Sequence, residues 1–129
     1  MKRLVVAAVL ALAPGMALAD PAEGIWKTAT DDYGYFGHVE IRPCGKRFCG
    51  TLVEVFNPHG QRIDSPNKGA RVLWDLAANG KGGYGKGKGW APDRNRTYNA
   101  AMTVPGDRLS LRACAAGGFC RDEAWTRVK

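Results

Sequence analysis

The chain has 129 residues, 45% hydrophobic and 24% charged, with 19 Lys+Arg against 12 Asp+Glu and a formal net charge of +7. That is the size of one ordinary domain, which excludes multidomain enzymes and large nucleotide-binding folds. The composition is that of neither a disordered tail nor a bundle of membrane spans, and the 17 glycines announce many turns.

The N-terminus reads Met1-Lys2-Arg3, then an apolar run from Leu4 to Ala13, then Pro14-Gly15, then Ala17-Leu18-Ala19. A positive start, a short apolar stretch and a small-x-small site form the pattern of a secretory signal peptide over residues 1–19, cut after Ala19. The apolar run is too short to span a hydrocarbon layer of about 30 Å, and Pro14-Gly15 breaks a helix. No cysteine follows the cut, so a lipid has no attachment residue. The mature chain is then residues 20–129, a single domain that is periplasmic or secreted and not membrane-spanning. Loss of Lys2 and Arg3 lowers the net charge from +7 to +5.

From Asp20 onward the hydrophobic period is two, not 3.6. Strands are expected over residues 24–29, 35–42, 48–56, 71–76, a short piece around Trp90, 97–104, 108–113 and 119–128. In the second of these, Tyr35, Gly37, Val39 and Ile41 alternate with Phe36, His38, Glu40 and Arg42. Residues 72–79 are the only candidate for a helical turn, ended by Asn79-Gly80. Residues 57–70 and 79–88 read as two long loops. About eight strands with turn signals between them predict an all-β barrel or sandwich.

Cys44, Cys49, Cys114 and Cys120 form an even set in a chain read as exported, which points to disulfides. Four cysteines allow three connectivities, and the spacing favours the local one, Cys44–Cys49 with Cys114–Cys120. Each would close a glycine-containing hairpin and contribute about 2 kcal/mol through loop entropy. Zinc is not expected, because the spacings differ from those of metal sites and the thiols are expected to be oxidised. His38 falls on a polar strand face and His59 in a loop, with no second histidine at ligand spacing. Asp31-Asp32 precedes Tyr33-Gly34 and reads as a solvated turn, not a calcium loop. No metal or other cofactor is implied.

The glycine-rich stretch from Gly80 to Gly89 carries Lys81, Lys86 and Lys88 around Tyr84, without the Gly-Lys-Ser/Thr of a phosphate loop. It reads as a mobile basic lip. Its lysines are either simply solvated or turned to an anionic group. Nucleic acid is excluded as a partner by compartment and by the scatter of basic residues along the chain.

Gly24-Ile25-Trp26 opens the first strand, and Trp125-Thr126-Arg127 lies in the last. This pairing resembles the calycin arrangement of lipocalins. The resemblance implies that Gly24, Trp26 and Arg127 plug one end of a barrel, the guanidinium lying on the indole. A wider resemblance follows from the order of motifs. Gly-x-Trp is followed by Cys44-Gly45 and Cys49-Gly50, then Asp64 with Pro66-Asn67, then the glycine-rich stretch. Pro92-Asp93, Thr97-Tyr98, Asp107-Arg108-Leu109 and Trp125-x-Arg127 complete it. The chain is similar in this to the bacterial domain-of-unknown-function family 2147, small exported proteins with lipocalin-like barrels. The expected fold is therefore a single antiparallel up-and-down β-barrel of about eight strands.

Such a barrel has room for one small ligand or for its own side chains. The leading expectation is a non-enzymatic binder of a small apolar or anionic amphipathic ligand. Asp64, Asn67, Tyr84, Trp90 and Tyr98 are its candidate contacts, with the three lysines near an anionic head. The alternatives are an interaction or inhibitor module acting on envelope proteins, or a small hydrolase using scattered carboxylates such as Asp64, Asp75 and Asp93. No catalytic grouping stands out, and no feature specifies an oligomeric state.

Overall fold

The computed structural model describes residues 19–129. The signal-peptide reading of residues 1–19 therefore falls almost wholly outside the described residues. Every regular element among those described is a β-strand.

The strands are β1 (Gly24–Lys27), β2 (Phe36–Cys44), β3 (Arg47–Phe56), β4 (Arg62–Ile63), β5 (Arg71–Ala78), β6 (Gly83–Ala91), β7 (Arg96–Thr103), β8 (Arg108–Cys114) and β9 (Cys120–Arg127). Eight of them pair antiparallel in chain order, and β1 closes the ring against both β2 and β9. The ninth, β4, is a two-residue addition beside β3. The molecule is thus a closed up-and-down barrel without exposed long edges.

The alternation read in the sequence is the alternation of the wall. On β2, Gly37, Val39 and Ile41 are buried, while His38, Glu40 and Arg42 are less so. On β8, Leu109 and Leu111 are buried between exposed Arg108, Ser110 and Arg112. The register opposite β2 slips at Val53, an extra residue that curves the wall.

Two expectations are corrected. Residues 72–79 are no helical turn but most of β5. The flanking glycine had suggested a helix end, whereas the β-branched and aromatic start of this segment suits a strand better. The expected loop over 79–88 is only a turn at Asn79, and the glycine-rich stretch from Gly83 is β6. Its glycines belong to the wall. A Cβ at Gly87 would lie 2.6 Å from Leu76 Cδ2 and 2.9 Å from the Trp74 carbonyl oxygen. The missing side chain lets Leu76 fill the interior, so this glycine serves packing and not mobility.

Large inward side chains fill one end. Trp26, Leu76 and Leu109 are fully buried, and Ile41, Met102 and Tyr84 pack among them. The turn closed by Cys44–Cys49 lies at this end, and the turn closed by Cys114–Cys120 lies at the other. Both are the local pairs that the spacing favours.

Candidate functional site

The filled end is a plug. The Arg127 guanidinium lies 4.3 Å above the Trp26 ring. It donates to the carbonyls of Glu23 (2.9 Å) and Pro21 (2.6 Å) and, through Nε, to Asp107 Oδ1 (3.0 Å). Trp26 Nε1 donates to the Ala22 carbonyl at 2.9 Å. One cation thus gathers the N-terminal segment, the β7–β8 turn and the indole, which suits a planar guanidinium better than an ammonium. Gly24 is required here. Its φ is +138°, and a Cβ would lie 2.6 Å from the Lys129 carbonyl oxygen and 2.8 Å from Arg127 Nη1.

The opposite half is hollow. A cavity of about 1240 Å³ opens to solvent there. Its room comes from small inward residues: Gly37 on β2, Gly89 and Ala91 on β6, Ala100 on β7 and Ala113 on β8. Its depth is apolar, with Val39, Leu52, Leu73, Leu111 and Trp125 in the wall. Its rim comes from the β1–β2, β3–β5, β6–β7 and β8–β9 connections. A mostly apolar recess with polar groups at its mouth is the usual form of a small-molecule site.

Four carboxylates and three arginines also line the cavity. Asp31 caps its own turn, accepting from the backbone N–H groups of Tyr33 and Tyr35 at 2.9 Å. Arg94 lies 3.8 Å from both Asp32 and Asp93, and Arg121 lies 3.5 Å from Asp32. Asp32 therefore ties the β1–β2 loop to two other parts of the rim. Glu123 accepts from Trp125 Nε1 at 2.9 Å.

Of the candidate contacts, Asp64, Asn67, Trp90 and Tyr98 line this cavity. Asn67 sits in a turn, its N–H donating to Ser65 Oγ at 3.1 Å, and Trp90 Nε1 donates to Asn95 Oδ1 at 3.0 Å. Tyr84 does not belong with them. It packs at the plugged end, its ring edge-on to Phe48 at 5.5 Å and its hydroxyl donating to the Asp20 carboxylate. Burial, and then that carboxylate, push its phenol well above the ordinary range. The physical reason is a bulge. Lys86 has φ +60° and the β6–β7 register slips between Tyr84 and Gly87, which turns Tyr84 inward one position out of phase.

The three lysines also lie elsewhere. Lys81 is in the turn at the plugged end, and Lys86 and Lys88 point outward from β6. Lys88 Nζ donates to Asn99 Oδ1 at 2.7 Å on the outer wall. His38 is on the outside too, its ring 4.6 Å from Phe56 and its pKa lowered chiefly by burial. Among the described residues, no three His, Cys, Asp or Glu side chains converge as metal ligands do.

Sequence reasoning missed Arg94, Arg96, Arg121 and Glu123. The last two had a usable signal. Arg121, Glu123, Trp125 and Arg127 share one parity on β9, so placing Trp125 and Arg127 inward places the other two inward as well.

With the plug, the hollow half and the two cysteine hairpins in view, the sequence comparison is decisive. Residues 24–127 match the family described as "Uncharacterized protein conserved in bacteria (DUF2147)". The chain belongs to this family. No curated protein is similar enough in sequence to match it. Among solved structures, this DUF2147 chain is similar to protein HP1028 from the human pathogen Helicobacter pylori, described as belonging to the lipocalin family. The TM-score is 0.69 at 20% identity, over 87% of this chain and 85% of that one. At that identity the likeness is one of fold, and it agrees with the closed barrel described above.

Proposed function

We propose that this DUF2147 member is an exported, non-enzymatic binder of a small apolar or amphipathic molecule, held in the open half of the barrel. The observation that carries the reading is the apolar-walled cavity of about 1240 Å³, open at one end while the other is plugged. It has the size and lining of a small-ligand site, and the fold leaves its mouth free. Export is supported by the signal-like N-terminus and by two disulfides. Sequencing the N-terminus of protein recovered from the cell envelope checks it, with Asp20 expected as the first residue.

The binding test is titration with a neutral fluorescent apolar probe such as N-phenyl-1-naphthylamine. Saturable binding with one probe per chain is expected, lost in Ala113→Trp, which fills the mouth from β8 while leaving the plug intact. A wild-type protein without saturable binding, or a filled variant that binds equally well, sinks the reading.

One observation favours a second reading, an interaction module for envelope proteins. Tyr33 and Phe119 are 78% and 81% exposed on two rim loops, and aromatic residues are enriched at protein interfaces. Stable capture of an envelope protein that is lost in Phe119→Ser would support it.

A further inference from the structure

We infer that the cavity prefers a ligand with a protonated amine, received by Glu123, on an apolar body. The inference rests on the binding function proposed above and concerns the chemistry of its ligand. It is opposite in sign to what the whole-chain charge suggests. The basic excess lies mainly on the outer wall and at the plugged end, in residues such as Lys81, Lys86, Lys88 and Arg112. The cavity has its own inventory, four carboxylates to three arginines. Charges more than about 10 Å away are largely screened at physiological salt, so the local set decides what binds.

Within that set two of the three cations are engaged, and the third, Arg96, is exposed at the start of β7, at the mouth. Arg94 faces Asp32 and Asp93, and Arg121 turns to Asp32. Glu123 differs from both. It is half-buried on β9, one inward step below Arg121 and one above the floor residue Trp125. Its cross-strand neighbour is Leu111. Among the described residues it has no ion-pair partner, and its one hydrogen bond comes from Trp125 Nε1. A carboxylate has room for about four such bonds, so its remaining acceptor capacity faces the hollow. A half-buried, unpaired charge beside Leu111 and Trp125 is costly, and a cation entering the cavity relieves that cost. Trp125 and Tyr98 also line the cavity, and the face of an aromatic ring suits an ammonium group. Val39, Leu52 and Leu73 complete the site as the apolar surface on which a short alkyl or aromatic body rests. A fatty carboxylate meets Glu123 as a like charge and is disfavoured.

The experiment is displacement of the neutral probe by decylamine, decanol and decanoate, each below its aggregation concentration. Decylamine should displace at a concentration at least tenfold lower than decanoate, with decanol between them. Glu123→Gln keeps an acceptor for Trp125 Nε1 and should narrow that spread to about threefold. Asp122→Asn, which removes the neighbouring carboxylate on the outer face of β9, should leave the spread intact. Probe binding with no amine preference in the wild type, or a spread that stays undiminished in Glu123→Gln or collapses in Asp122→Asn, overturns this inference and leaves the binding function standing. Failure of the wild type to bind the probe overturns both. Should Glu123→Gln fail to fold, the wild-type ranking decides: decanoate equal to or ahead of decylamine is fatal.

Discussion

The two ends of this barrel obey the same rule and reach opposite results. Both alternate inward and outward residues on the same eight strands. At one end the inward set is Trp26, Ile41, Leu76, Met102 and Leu109, and the interior is solid. At the other it is Gly37, Gly89, Ala91, Ala100 and Ala113, and the interior is a cavity. The disulfides divide in the same way. Cys49 is buried beside Phe48, which packs on the core, whereas Cys120 is exposed beside Phe119 at the mouth. Alternation thus decides that a strand has an inside, and side-chain volume decides whether that inside is filled. The division separates the groups that hold the fold from those free to meet a ligand.

The sharpest way to break this comparison is at the plug. Trp26→Ala empties a fully buried indole site and should cost about 4 kcal/mol, read as a large fall in the denaturant midpoint. Arg127→Ala should cost about 2 kcal/mol, since it uncovers the Trp26 ring and takes the donor from the half-buried Glu23 carbonyl. Mouth substitutions of similar size, such as Trp90→Ala, should cost less than half as much. Equal losses at the two ends would dissolve the distinction.

The disulfides come next. Replacing either pair by serine should cost about 2 kcal/mol through loop entropy. The Cys44–Cys49 replacement should cost more, because Cys49 is also packed, and it should leave ligand affinity unchanged. The Cys114–Cys120 replacement should weaken probe binding as well, because that hairpin forms part of the rim.

A pair of neighbouring glycines tests the packing argument within one strand. Gly87→Ala drives a methyl into Leu76 and should cost about 2 kcal/mol. Gly85→Ala meets no atom within 4 Å and has no positive φ to oppose it. It should be neutral or stabilise by less than about 1 kcal/mol. Thermal unfolding of the two variants side by side reads the difference.

The smallest effect is expected at the rim. Asp32→Ala removes two exposed ion pairs, at 3.8 and 3.5 Å, and should change stability by less than about 1 kcal/mol. Its visible consequence is kinetic. Freeing Arg121 and leaving Arg94 with Asp93 alone loosens the mouth, and stopped-flow traces should show faster probe association and dissociation at nearly unchanged affinity.

Much of the architecture was legible because its determinants are local. Period-two alternation in Gly37-x-Val39-x-Ile41 and Leu109-x-Leu111 reports a strand with one wet and one dry face, whatever it pairs with. The spacings Cys44–Cys49 and Cys114–Cys120 favour pairing within each hairpin, and both pairs form. Gly24-x-Trp26 and Arg127 pointed to the plug only through a resemblance, since nothing local says that residues 101 apart will stack.

What local pattern misread was decided by neighbours in space. The glycines of β6 look like a flexible loop until Leu76 is seen to occupy the volume they vacate. Tyr84 looks like a partner for Trp90 and Tyr98 until the bulge at Lys86 turns it toward Asp20 at the far end. Sequence by itself therefore determined most strands, though not the glycine-rich length of β6, favoured the two hairpin staples and fixed the all-β class, because alternation and short-range spacing are properties of a chain. Only the tertiary structure decided which half is hollow and which charges face into it. Both depend on the summed volumes and phases of eight strands around a closed ring, and no single segment contains that sum.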